Sequence, residues 1–378
     1  MNAASKPIQR PDAARLLGVD AAGRIEHLPR SSFVSLLGRG DLLVANDAAT
    51  IPASLPAMHV RTGRSIEVRL AQRRSLDAND VLDFTAVVFG EGDWRTRTED
   101  RASPPSLIVG DRLAIGPVYA IVTKICGHPR LVSIRFDATP QQVWAAIAGV
   151  GKPIQYAYLE APLALWDVWT PIAGPPVAFE APSAGFALDW RMLGELRRRG
   201  IGFATITHAA GISSTGDAAL DAMLPLDEPY RIPGPTARAI ARTHARGGRV
   251  IAIGTTVVRA LESAARADGS VRAGDGVATL RIGKDTRLRV VDAILSGTHE
   301  PGTSHYELLR AFAPDATLAR VDRELESAHY LTHEFGDSVF VEARRRGVSR
   351  SDQVRSALRL NSYARGESTG WVITGDRS

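Results

Sequence analysis

Cysteine is almost absent: Cys126 is the only one in 378 residues. No disulfide can form within the chain, and a zinc site built from several cysteines is excluded. Long apolar runs are missing as well. No stretch reaches the length of a membrane span, and the first ten residues, MNAASKPIQR, lack the apolar core of a secretory signal. The expected location is therefore cytoplasmic, with no membrane partner. What is present is ordinary for a chain with a sizeable core: 44% hydrophobic and 23% charged residues, enough for two domains. A net charge of +5 permits a nucleic-acid partner. It does not require one, because Arg and Ala are abundant throughout.

The chain is organised around Arg249 to Ser263, RVIAIGTTVVRALES. Val250 to Ile253 form a short apolar run, read as a buried strand. Gly254 breaks it, Thr255 and Thr256 open a helix, and Val258, Leu261 and Glu262 follow at helical spacing. A strand, a tight turn and a helix leave backbone N–H groups free at the helix start. Such an end binds carboxylates or phosphates. Arg259, one turn on, could hold a carboxylate bidentately. The plainer reading is an α/β crossover with a surface Arg.

Earlier, Asp41 to Ala45 reads as a strand ending in Asn46-Asp47, either a ligand position at a strand end or an Asx turn. Residues 57 to 137 differ in character. Ile66 to Leu70, Val81 to Phe89, Leu107 to Val109, Leu113 to Ile115, Val118 to Lys124 and Leu131 to Phe136 are short strand-like runs between Gly, Pro and Asp turns. They predict a small β-barrel inserted into an α/β domain. Gly149 to Pro153 fails as a phosphate loop, because Ala146 stands at the first Gly position and Pro153 replaces the metal-reaching hydroxyl. Residues 155 to 185 are rich in Pro and aromatics, among them Tyr156, Tyr158, Trp166, Trp169 and Phe179, which could stack on a flat base or simply pack. Helices are predicted over Leu188–Arg199, Pro235–Arg246, from Thr303 or Ser304 to Phe312, and over Thr317–Tyr330. Strands are predicted over Phe203–Thr207, Leu288–Leu295 and Ser338–Val341.

Several of these stretches, in this order, resemble the S-adenosylmethionine:tRNA ribosyltransferase-isomerase family of queuosine biosynthesis. DLLVANDAATIPASL (41–55), GKPIQYAYL (151–159), Trp169 to Ala173, APSAGF (181–186), IGTTVVRALES (253–263), VVDAILSGTHEP (290–301) and FGD (335–337) carry the likeness. The resemblance implies a discontinuous α/β domain, residues 1–56 and 150–378, with an inserted small β-barrel domain at 57–149. It implies S-adenosylmethionine as co-substrate, no metal, and tRNA as partner of a monomeric enzyme. The family reaction moves the ribosyl part of S-adenosylmethionine to 7-aminomethyl-7-deazaguanine in the anticodon and isomerises it. The chain departs from the family pattern at Ala49, Ala187, Met223, Leu226 and Gly297, where the family carries Arg, His, His, His and Asn. Those positions are expected to face a ligand. A different, small-molecule acceptor and a non-catalytic RNA-binding relative therefore remain as alternatives.

On this resemblance, Thr255, Thr256 and Arg259 are expected to clamp the cofactor, joined by Ser183 and Gly185, with Asp47 and Asp337 on the ribose hydroxyls. His208, His299 and Glu228 are the expected catalytic groups. The two histidines rank first as the base for the C5′ proton, because an unperturbed imidazole titrates near neutrality. Both are expected to open onto the cleft containing Arg259. Arg197 to Arg199 and Arg344 to Arg346 are expected phosphate contacts.

Overall fold

The structure is a computed structural model that describes residues 2–343. Arg344, Arg345 and Arg346 lie outside the described residues. The strands of the main sheet are, in chain order, β1 (Arg15–Val19), β2 (Ile25–Pro29) and β3 (Leu42–Asn46) before the inserted barrel. The barrel strands are β4 (Ser54–His59), β5 (Arg64–Gln72), β6 (Asp83–Phe89), β7 (Arg112–Ile115), β8 (Val118–Ile125) and β9 (Leu131–Phe136), followed by helix α1 (Pro140–Val150). The α/β pattern then resumes: α2 (Trp190–Arg198), β10 (Gly202–His208), β11 (Glu228–Ile232), α3 (Gly234–Ala245), β12 (Val250–Ile253) and α4 (Thr255–Ser263). β13 (Gly274–Ala278), β14 (Ala293–Gly297), α5 (Ser304–Leu309), α6 (Asp315–Ser327) and β15 (Ser338–Glu342) complete it.

The main sheet runs β13-β11-β10-β3-β12-β14-β15-β1-β2. Its centre is four parallel strands, β10, β3, β12 and β14, in the register Gly202↔Leu42↔Val250 and Ile251↔Ala293. These strands are nearly all apolar because both faces of the sheet are covered. The side chains sort with period two. Leu42, Val44, Val250, Ala252 and Ile294 join one core with residues of α3, α4, α5 and α6. Leu43, Ala45, Ile251, Ile253, Ala293 and Leu295 join another with Met192, Leu193 and Leu196 of α2. Asp189 caps α2 by accepting from the Met192 N–H.

The barrel closes in the order β8-β9-β6-β5-β4-β7, all pairs antiparallel. Its interior holds Leu55, Val68, Ile134 and Phe136, and α1 seals one side with Val143, Ala146 and Ile147. A reciprocal Thr139–Gln142 capping box starts α1. The fold class is thus α/β with an inserted closed barrel. Local readings differ in three places. Leu107 to Val109 forms no strand, the strand predicted from Leu288 begins only at Ala293, and the helix at Ser304 ends at Leu309. An apolar run alone does not fix pairing: Leu107 is buried while Ile108 and Val109 are exposed, and residues 288–292 and 310–312 pack without extending the strand or the helix. Among the described residues no helix is long and apolar enough to cross a membrane.

Candidate functional site

The four parallel strands end at one edge of the sheet, and their carboxyl ends open into a cleft. That is the place where open α/β sheets bind ligands. After β10 come Ala210 to Ser213. After β12 come Gly254, Thr255 and Thr256, with Arg259 a turn later. β14 ends in Ser296 and Gly297, and His299 follows. His305 of α5 and Glu180 to Ala184 close the remaining wall.

Gly254 makes the central turn possible. Its φ of 91° and ψ of 158° lie in a region open only to glycine. A Cβ there would also stand 3.3 Å from the Ala184 side chain. Gly254→Ala should therefore cost about 1–3 kcal/mol, read from the urea midpoint, and displace the 180–184 wall from the helix start. An unchanged midpoint would show that the turn tolerates a side chain. The Gly254 N–H is not free for a ligand, since it donates to Leu295 O at 2.8 Å and extends the sheet. No side chain caps α4. The N–H groups of Thr255 and Thr256 have no acceptor within their helix, so the positive end of α4 faces the cleft.

Asn46 ties the end of β3 to the end of β10. Its Oδ1 accepts from the His208 and Ala48 N–H groups at 2.9 and 3.1 Å, and its Nδ2 donates to His208 O at 2.9 Å. The Asx turn at Asn46-Asp47 is real, and it aligns the ends of β3 and β10.

Arg259 lines the cleft, but its donors are already taken. Nε and Nη2 donate to the carbonyls of Leu280, Leu226 and Ala278, and Nη1 is paired with the Glu228 carboxylate. The expected carboxylate clamp is therefore a buried ion pair inside the protein. Glu228 is likewise engaged: its other oxygen accepts from the Gly211 N–H at 2.6 Å. Burial pushes the Glu228 carboxyl up, against the opposing pull of the Arg259 guanidinium.

The histidines separate. His208 is fully buried and is not part of the cleft wall; its Nε2 lies 3.3 Å from Glu228, behind it. Burial, and then the charge of Arg259, push its pKa down to about 3. The expectation that His208 opens onto the cleft fails, and its catalytic role with it. The strand delivers the ring inward, because residue 208 continues the inward alternation of β10. His299 does line the cleft, with Nε2 3.3 Å from Ser296 Oγ and its ring stacked on His305 at 4.5 Å. Burial and then the neighbouring His305 hold its pKa well below the usual value.

Three expected ligand contacts are also displaced. Asp337 is buried and its carboxylate accepts from the N–H groups of Arg15 and Leu331 at 2.7 and 2.9 Å and from the Arg15 guanidinium at 3.0 Å. Asp47 accepts from Thr207 Oγ1 at 2.7 Å outside the cleft wall, and burial raises its pKa. Gly185 is a packing residue, since a Cβ there would meet Thr170 Cγ2 at 2.9 Å. Ser183 lines the cleft. Of the five positions that depart from the family pattern, only Gly297 reaches the cleft. Ala49 and Ala187 are buried, and Met223 and Leu226 pack with Leu220 and Leu224.

Glu180 and His305 were not singled out from sequence. Glu180 carries no motif of its own. It stands one residue before APSAGF, and that adjacency was the only available signal. Among the described residues no group of three or more His, Cys, Asp or Glu side chains is placed to hold a metal ion.

A family model described as queuosine biosynthesis protein matches residues 1–341. The S-adenosylmethionine:tRNA ribosyltransferase-isomerase of Citrifermentans bemidjiense is 33% identical over 347 residues, covering 89% of this chain and 95% of the relative. The enzyme of the same name from Thiobacillus denitrificans is 33% identical over 340 residues, covering 87% and 91%. That from Sorangium cellulosum is 34% identical over 360 residues, covering 89% and 94%.

Proposed function

The chain belongs to the queuosine biosynthesis protein family, and from that premise we propose that its cleft performs S-adenosylmethionine:tRNA ribosyl transfer and isomerisation. The ribosyl part of S-adenosylmethionine passes to 7-aminomethyl-7-deazaguanine in the tRNA anticodon and rearranges, giving epoxyqueuosine-tRNA, adenine and methionine. The observation that carries the reading is the uncapped start of α4 at the carboxyl ends of four parallel strands. The methionine carboxylate sits against the Thr255 and Thr256 N–H groups, where the helix dipole favours an anion. Ser183 and the two Thr hydroxyls supply further polar contacts. The buried Arg259–Glu228 pair holds the wall behind them and is no direct ligand. The sulfonium acidifies the C5′ protons, so a modest base is enough. No resident metal or redox cofactor enters the scheme, and the setting is the cytoplasm, where tRNA is.

Arg197 and Arg198 are exposed at the end of α2 and serve as phosphate contacts; Arg199 is tied to the carbonyls of Val34 and Leu37. The test is release of adenine and methionine, measured by mass spectrometry with and without tRNA carrying the deazaguanine. Release is expected only with the tRNA, with affinity falling steeply as salt rises. Release without tRNA would mean that the ribosyl group passes to water and not to the tRNA base, and would count against the tRNA reading. No release under either condition would reject the enzyme reading.

A further inference from the structure

Glu180 stands where two cavities meet. On one side is the cleft with the start of α4. On the other is a smaller cavity walled by Tyr156, Tyr158 and Phe335. The Tyr156 hydroxyl donates to Glu180 Oε1, and Ser213 also hydrogen-bonds to the carboxylate. Among the described residues no Arg or Lys forms an ion pair with it. Glu228 and Glu67, by contrast, are paired with Arg259 and with Arg69 and Arg101. Glu180 is therefore a carboxylate on the cleft wall, held in place from one side and unneutralised.

We propose that Glu180 is the base that takes the C5′ proton of S-adenosylmethionine, which makes it a catalytic residue of the proposed reaction. The inference rests on the functional reading above. In the step, an O–H bond forms on the carboxylate as the C5′–H bond breaks. The electron pair stays on carbon beside the sulfonium, and nothing is oxidised or reduced. The other acid–base groups of the wall are less suited. Both oxygens of Glu228 are engaged. His299 and His305 stack on each other, and burial pushes His305 down to about 4. A base of that strength is a poor proton acceptor at neutral pH. Burial works in the opposite direction on a carboxyl group and pushes Glu180 up to about 7. Accepting the proton also removes a charge that burial disfavours. The charged and titratable groups around Glu180 are consistent with this. Tyr156, with Arg69 behind it, faces it from the linker and β5; Tyr158 and Glu334 face it across the small cavity; Arg259 with Glu228, and the His299–His305 pair, stand across the cleft.

The test uses the full chain, S-adenosylmethionine and the deazaguanine-bearing tRNA. Glu180→Gln should lower adenine release by ~10²–10⁴-fold while S-adenosylmethionine binding, by calorimetry, stays within about threefold, too small a change to account for the rate. Wild-type release should fall on the acid side of about pH 7. Tyr156→Phe removes a donor that stabilises the ionised carboxylate, so its acid limb should move to higher pH. This second variant reads the same residue if Glu180→Gln fails to fold. Near-wild-type release by Glu180→Gln, or an acid limb unmoved in Tyr156→Phe, overturns the inference and leaves the functional reading standing. Loss of S-adenosylmethionine binding in Glu180→Gln also overturns it, by making Glu180 a binding group. No release by the wild-type chain removes the functional reading and the inference together.

Discussion

Arg259→Ala is expected to lower stability by about 3–5 kcal/mol, because it leaves the Glu228 carboxylate buried without its cation. Arg259 lies within the sheet-to-helix junction at 6% exposure, and Glu228 is 5% exposed. The guanidinium also satisfies three carbonyls, two of them in β13 and the turn after it. Alanine strands those carbonyls as well. Lysine keeps the charge but cannot span a carboxylate and three carbonyls from a single nitrogen, so Arg259→Lys should recover only part of the loss. The urea midpoint checks both variants, and the double variant Arg259→Leu with Glu228→Leu should be more stable than Arg259→Ala alone. A loss below about 1 kcal/mol, the range of exposed ion pairs, would mean that Arg259 is free to meet a ligand after all. S-adenosylmethionine affinity should fall along with stability, since the same junction carries Thr255 and Thr256.

An effect of similar size is expected at the mouth of the barrel. Glu67 on β5 accepts from Arg69 Nε at 2.5 Å, from Ser54 Oγ at 2.7 Å and from Arg101 Nη1 at 2.6 Å. Arg69 and Arg101 are buried, and with Arg130 they surround the Phe89 ring at 4.4–5.6 Å. Glu67→Ala would leave two buried guanidinium groups without an anion between them and a third close by. The expected cost is about 3–5 kcal/mol at neutral pH. The cost should depend on pH. Burial pushes the Glu67 carboxyl up, but Arg69 and Arg101 outweigh it and hold the pKa below the usual value. A depressed folded pKa contributes stability above the unfolded carboxyl pKa of about 4.3. That stability is lost as pH falls through the folded value. The gap between wild type and Glu67→Ala should therefore be full at neutral pH and narrower in acid, below the unfolded carboxyl pKa. A gap that did not change between neutral pH and acid would mean that packing around Phe89, and no charge, sets the penalty.

Much of this protein was determined by sequence alone. The apolar runs Leu42–Ala45 and Val250–Ile253 required a sheet covered on both faces, and they pack in alternation into two cores. The alternating, turn-punctuated runs between residues 57 and 137 required antiparallel strands, and these close into a barrel. Gly254 followed by two threonines marked the helix start, because no other residue adopts that turn. These features depend on neighbours in the chain, so local pattern carries them. Proton affinities and partners do not. Arg259 meets Glu228 from 31 residues away, and Asp337 is locked by Arg15 from 322 residues away. Neither pairing has a local signature, and both turned expected ligand contacts into internal ones. Burial then inverted the expected order of bases. Desolvation disfavours the charged form of either group, so it drives an imidazole down and a carboxyl up. His208 and His299 lost the neutral pKa that their residue type promised, and Glu180 acquired one. Only the packing around each group decides that, and packing is a property of the folded chain.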